Sequence, residues 1–162
     1  MTQLPPTANR AWTIVAVSYD RPAARRLTQA LHREQFATYG RADNPENTPV
    51  REFDPPHGVF LVGADPDGTA LACGGWRTAG PGTAEIKRMY VNPAVRGCGL
   101  GRRILEDLER NARLHGMSRM ILETGVKNHA ALTLYARCGY SLTEPYVYGR
   151  DPRINRALSR VL

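Results

Sequence analysis

The stretch that decides the fold is VRGCGLGRRILEDLERNA, which runs from Val95 to Ala112. It places Arg96, Gly99 and Gly101 in an R-x-x-G-x-G spacing at the start of an amphipathic helix. Glycines let the backbone approach a ligand and adopt dihedral angles that a Cβ disfavours. The first turn of a helix adds amide N–H groups without intrahelical partners and a partly positive end. The stretch therefore predicts a seat for a phosphate or pyrophosphate.

The composition predicts one globular domain over residues 1–162, of which residues 1–10 form a polar leader. The chain has 162 residues, of which 42% are hydrophobic, and this length suits a single core. No run of about 18 apolar residues is present, so we expect no membrane span. The N-terminus lacks the apolar region of a secretory signal. These features favour a cytoplasmic protein.

The net charge of +7 comes mainly from arginines, which are scattered along the chain without a basic run. We therefore expect no nucleic-acid partner. Cys73, Cys98 and Cys138 are odd in number and lack C-x-x-C spacing, which argues against a disulfide framework and a zinc site. No metal is expected.

The order of predicted elements is β-α-(loop)-β-β-β-α-β-α-β, which indicates an α/β (α+β) fold with a mixed sheet. One helix starts near Asp20 and runs to about Thr38, and two more follow Gly99 and Asn128. The segment Tyr39–Pro56 has no clear period and predicts a functional loop or a short helix. The predicted strands are Trp12–Tyr19, Gly58–Ala64, Thr69–Trp76, Ala84–Val91, Arg119–Glu123, Tyr140–Leu142, Tyr146–Tyr148 and Asn155–Val161.

Several phosphate loops can be excluded. The chain lacks G-x-x-x-x-G-K-[ST] and the full G-x-G-x-x-G fingerprint, so neither a P-loop nor a dinucleotide fold is indicated. A tight turn with a purely structural role remains the alternative interpretation of the glycine loop.

Two longer stretches of sequence indicate which class of phosphate-binding protein the chain resembles. AEIKRMYVNPAVRGCGLGRRIL and ILETGVKNHAALTLYARCGY together resemble the GNAT superfamily of acyl-CoA-dependent N-acetyltransferases. The resemblance spans about Ala70 to Tyr148, and the first third of the chain carries no comparable signature. It implies a mixed, mostly antiparallel twisted sheet of about six to seven strands, flanked by helices. The phosphate loop would then lie between strand 4 and the following helix.

The resemblance also implies a coenzyme site for acetyl-CoA. Main-chain groups of one strand would bind the pantetheine amides, and Asn128 would hold the pantetheine arm. The loop would wrap the pyrophosphate through backbone amides. The implied strand residues are Met89, Tyr90 and Val91, and the implied loop residues are Arg96, Gly97, Cys98, Gly99, Leu100, Gly101 and Arg102.

Acetyl transfer to an amine needs a base for the ammonium, a donor for the oxyanion and an acid for the thiolate. By the same resemblance, Tyr135 is the general acid. Glu85 is the candidate base, acting directly or through water, with a structural ion pair to Lys87 or Arg88 as the alternative. The backbone amide of Met89 or Val91 is the expected oxyanion donor.

Trp76, Arg77, Lys87 and Tyr146 are the candidate acceptor-binding residues, with solvated or paired charges and edge-strand aromatics as the alternatives. Strand alternation predicts Glu85 and Lys87 on one face of the sheet and Arg88 on the other. We expect an N-acetyltransferase for a small primary amine, such as an amino acid or an amine antibiotic. A protein or peptide acetyltransferase, a non-catalytic acetyl-CoA sensor and a homodimeric state stay open.

Overall fold

A computed structural model describes residues 11–162, so the predicted leader at 1–10 lies outside the described residues. These residues form three α-helices and seven strands. The helices are α1 (Pro22–Tyr39), α2 (Leu100–Leu114) and α3 (His129–Arg137). The strands are β1 (Thr13–Ala16), β2 (Gly58–Ala64), β3 (Ala70–Gly80), β4 (Thr83–Val91), β5 (Arg119–Gly125), β6 (Ser141–Leu142) and β7 (Asn155–Val161).

The seven strands form one sheet in the order β1-β2-β3-β4-β5-β7-β6. Only β4 and β5 pair in parallel, and the remaining neighbours are antiparallel. The predicted mixed, mostly antiparallel sheet flanked by helices is confirmed. The glycine loop leaves the end of β4 and enters α2, as the sequence predicts.

Two hydrophobic clusters cover the two faces of the sheet. The larger cluster packs α2 against the sheet through Ile104 and Leu108, and it includes Tyr135 of α3. The smaller cluster packs α1 through Ala24 and Leu27. Burial of apolar surface on both faces stabilises the strands between the helices.

Three predicted strands differ from the structure, and one of them, β3, runs to Gly80 instead of ending at Trp76. Tyr146–Tyr148 is not a strand, because the chain there turns between β6 and β7. The first strand is Thr13–Ala16, shorter than the predicted Trp12–Tyr19. The long segment after α1 contains two 3₁₀ turns, Pro45–Asn47 and Val50–Phe53. Within residues 11–162, no helix is long and apolar enough to cross a membrane.

Candidate active site

The sheet opens between β4 and β5. Their parallel pairing ends at Glu85 and Ile121, although β4 continues to Val91 and β5 to Gly125. Beyond that point the strands separate, and the edge of β4 that faces β5 has no strand partner. An unpaired strand edge presents N–H and C=O groups that a linear amide ligand can bind.

A groove of about 470 Å³ begins at this opening and reaches the start of α2. Its walls come from the end of β4, the glycine loop, β5 and α3. Nearly all predicted coenzyme residues line it, namely Met89, Tyr90, Val91, Arg96, Gly97, Gly99, Leu100, Gly101, Arg102 and Asn128. Cys98 is the exception, because its thiol turns away and donates to the carbonyl of Val95.

The glycine loop has the backbone that a phosphate seat requires. Gly97 and Gly99 have φ of +81° and +84°, in the left-handed region that favours glycine. Apart from the chain neighbours of each glycine, no atom of the described residues lies within 4 Å of the position where a Cβ would stand. Gly99 is also the N-cap of α2, so the free amides of the first helical turn face the groove. The loop therefore fits a pyrophosphate.

Arg96 is fixed beside this loop by three contacts. Its Nε donates to the carbonyl of Val91 at 2.8 Å, and its Nη2 contacts both carboxylate oxygens of Glu34 at 2.7 and 3.0 Å. The guanidinium carbon lies 5.8 Å from the centre of the Tyr90 ring. These contacts join α1 to the mouth of the groove.

Asn128 and Tyr135 hold the opposite wall. The Asn128 side-chain carbonyl accepts from the amide of Ala131 and caps α3, which leaves the side-chain NH₂ free for a ligand. Tyr135 is buried in the groove wall, and its ring meets the Tyr140 ring edge-on at 5.5 Å between centres. Burial raises the pKa of Tyr135, so its hydroxyl keeps a proton to donate.

Strand alternation fails at Arg88, which has a φ of +60°. Between the pairs Cys73–Tyr90 and Gly75–Lys87, β4 contains one residue more than β3, which is a β-bulge. The prediction that Glu85 and Lys87 lie opposite Arg88 is therefore wrong. All three residues line a second cavity.

This second cavity, named the acceptor cavity for the role proposed below, has a volume of about 350 Å³. Its floor is β4 and β5, and two connections cover it, the one after α1 and the one between β6 and β7. Its lining residues are Gln35, Tyr39, Arg41, Ala42, Asp43, Glu85, Ile86, Lys87, Arg88, Glu123, Thr124, Gly125, Gly149, Arg150, Ile154 and Asn155. Ile86, Lys87, Arg88, Glu123 and Thr124 line the groove as well, so the two cavities meet where β4 and β5 separate.

Glu85 is almost fully buried, and its partner is neither Lys87 nor Arg88. The Arg77 Nε donates to Glu85 at 2.9 Å, and the same guanidinium forms a salt bridge with Glu52. Glu85 lines the acceptor cavity but not the groove. Arg77 therefore fixes the carboxylate of Glu85 in the part of the acceptor cavity that does not reach the groove.

Glu123 is a carboxylate at the meeting point that the sequence reasoning missed. Arg150 donates to it at 3.2 Å, and its second oxygen has no bond within the described chain. Burial raises the pKa of Glu123, against the opposing effect of Arg150. A partly buried carboxylate of raised pKa is suited to accept a proton. The signal available in the sequence was a lone acidic residue at the end of a buried strand.

Three of the predicted acceptor residues do not line this cavity. Trp76 is completely buried in the core, where its indole N–H donates to Asn111 at 2.8 Å. Arg77 is held by its two glutamates and does not line the cavity. Tyr146 lies next to Glu85 and does not line the cavity. Burial and then that carboxylate raise its pKa, yet its buried hydroxyl makes no hydrogen bond of normal geometry within residues 11–162. Of the four, only Lys87 lines the cavity.

Comparison with known sequences agrees with this geometry. A model of the Acetyltransferase (GNAT) family matches residues 23–140. An uncharacterized N-acetyltransferase of Schizosaccharomyces pombe is 36% identical over 118 residues, which cover 72% of each chain. The IAA acetyltransferase of Azospirillum brasilense is 44% identical over 96 residues, covering 57% of this chain and 61% of the relative.

Solved structures share the fold. A Klebsiella pneumoniae protein assigned as an acyl-CoA N-acyltransferase superposes with a TM-score of 0.80 at 28% identity, covering 94% of this chain and 98% of the other. The PaiA N-acetyltransferase of Thermoplasma acidophilum, solved in complex with coenzyme A, has a TM-score of 0.69 at 15% identity, covering 94% and 99%.

Proposed function

Since this chain belongs to the GNAT family of acetyltransferases, we propose that it transfers the acetyl group of acetyl-CoA to a primary amine of a small molecule. The observation that carries the proposal is the covered acceptor cavity that meets the coenzyme groove at Lys87 and Glu123. A substrate amine and an acyl thioester placed in the two cavities would meet at these residues.

The groove residues supply the donor half of the site. The amides after Gly99 and the free edge of β4 fit the pyrophosphate and the pantetheine arm, with Asn128 on the opposite wall. When bound, acetyl-CoA supplies an activated acyl thioester. Holding both substrates in contact removes most of the entropic barrier, so the protein needs no nucleophile of its own.

The reaction forms a bond from the amine nitrogen to the acyl carbon and breaks the bond from that carbon to sulfur. Glu123 accepts one proton from the ammonium, and Tyr135 donates one to the departing thiolate. The second proton that the nitrogen loses as the amide forms restores the Tyr135 hydroxyl. The amide of Met89 donates to the oxyanion, since the bulge leaves Arg88 and Met89 without register partners in β3. Glu85 is predicted as the base from sequence. With Arg77 on its carboxylate, we propose that it acts through water or positions Lys87.

The cover over the acceptor cavity favours a small acceptor over a peptide. Arg150 from the β6–β7 connection donates to Asp43 at 2.8 Å, which joins the two covering segments. The Tyr39 hydroxyl accepts from the amide of Lys127 at the end of β5. An extended peptide needs a continuous open groove, whereas the contact between Arg150 and Asp43 ties two chain segments together across this cavity.

The test is the release of free thiol from acetyl-CoA over a panel of small amines and short peptides, with products identified by mass spectrometry. We expect the highest kcat/KM with a small amine. A higher kcat/KM with peptides would overturn the small-molecule assignment. Saturable coenzyme binding without turnover on any amine or peptide would indicate a sensor.

A further inference from the structure

The acceptor cavity contains more positive than negative side chains once the salt bridges are assigned. Its three carboxylates are Asp43, Glu85 and Glu123. Arg150 contacts the first and the last, and Arg77 contacts Glu85 from outside the cavity. Each carboxylate therefore already has an arginine partner.

Two cations of β4 have no such partner. Lys87 lines the cavity and makes no salt bridge or hydrogen bond within residues 11–162. Arg88 donates to the Thr48 hydroxyl at 3.1 Å, while its buried Nε has no acceptor there. Both side chains are half-buried. A buried cation without an anionic partner is unfavourable, so an arrangement of this kind fits a ligand that supplies the anion.

The β-bulge determines where these cations lie. Without the extra residue, alternation would send Lys87 and Arg88 to opposite faces of the sheet. With Arg88 at a φ of +60°, both line the acceptor cavity. The strain of a left-handed non-glycine residue is of the kind that clusters at ligand sites.

Lys87 also lies opposite Glu123. Glu85 pairs with Ile121 in the last register pair between β4 and β5, and Lys87 and Glu123 each stand two residues further along. They are more than a salt-bridge distance apart, because the strands separate there. A cation and a carboxylate facing each other across a gap match a ligand with an ammonium at one end and an anion at the other.

We propose that the acceptor is an amino acid, whose amine lies at Glu123 and whose carboxylate binds Lys87, with Arg88 next to it. This inference rests on the proposed acetyltransferase function and names its substrate class. Burial lowers the pKa of Lys87, against the opposing effect of Glu85. A bound carboxylate would raise the pKa of Lys87 again, because a nearby negative charge favours its protonated form.

The experiment compares α-amino acids with their C-terminal amides as acceptors, across small, aliphatic and aromatic side chains. The amine of an amide loses its proton at lower pH, so basicity alone favours the amide. We expect the acid to have a kcat/KM about tenfold or more higher, the size of one charge-assisted hydrogen bond. Lys87→Met should abolish this ratio and Lys87→Arg should keep most of it. Arg26→Met, on the exposed side of α1, is the matched control.

The outcomes separate the two proposals. Equal use of acids and amides, or a ratio that Lys87→Met leaves intact, would overturn the amino-acid assignment and leave the acetyltransferase function standing. Failure of all amines to turn over, with coenzyme still bound, would overturn both.

Discussion

Arg150 and Asp43 form a 2.8 Å salt bridge that joins the two segments covering the acceptor cavity. The same guanidinium donates to Glu123 on the floor of the cavity. One side chain therefore connects the cover to the proposed base, so changes at the cover should reach the chemistry.

Arg150→Met should affect both acceptor binding and the pH profile. Arg150 opposes the raised pKa of Glu123, so its removal should move the acidic limb of kcat/KM to higher pH. Asp43→Asn is the matched variant, because it weakens the cover and leaves the contact between Arg150 and Glu123. Since Asp43 is about half exposed, its variant should raise the acceptor KM at most about fivefold. Identical pH profiles for the two variants would contradict this connection.

Glu123→Gln should lower kcat/KM by about 10²-fold at neutral pH, the usual contribution of a general base. A base must be deprotonated to act, so activity of the unaltered protein should fall as the pH drops through the pKa of Glu123. That pKa is raised above 4.5. Glu123→Gln should remove this limb. Glu85→Gln should retain it, and loss of the limb in Glu85→Gln alone would return the role of base to Glu85.

Tyr135→Phe should lower kcat by about 10²-fold with little change in the dissociation constant of coenzyme A. The substitution removes the hydroxyl and keeps the ring that packs against Tyr140. Steady-state kinetics and calorimetric binding are the two measurements. Equal activity of the two proteins would rule out Tyr135 as the acid.

Gly99→Val should weaken coenzyme A binding about tenfold or more, which is 1.4 kcal/mol. Gly68→Val is the control, because Gly68 has a φ of +82° against +84° for Gly99 and likewise has open space around it. Both variants should lose about 1–2 kcal/mol of stability from the left-handed backbone. Only Gly99 caps α2 beside the groove. Equal binding by both variants would show that the loop does not seat the pyrophosphate.

Local patterns in the chain were sufficient to place the glycine loop and the helices around the groove, while the roles of their residues came from the family resemblance. The R-x-x-G-x-G spacing places a glycine loop at the start of α2. The stretch from Ala131 to Tyr140 places Tyr135 on α3. These features depend on contiguous residues, because left-handed glycines and helix periodicity act within a few positions. The structure confirms the sheet, the helices and the position of the loop between β4 and α2.

Only the tertiary structure determined which residues line the cavity proposed for the acceptor. The β-bulge at Arg88 changes which face of the sheet the β4 residues on one side of it point to. Nothing in the string AEIKRMYV marks the extra residue. Glu123, Arg150 and Asp43 are distant in sequence and meet only when β5 and the two covering segments pack together. Trp76 was predicted as an acceptor contact but lies in the core. The sequence did not show this, because burial depends on the helix that packs against the strand. The sequence by itself thus determined the glycine loop at the start of α2, whereas side-chain partners across the sheet decided which residues line the cavity proposed for the amine.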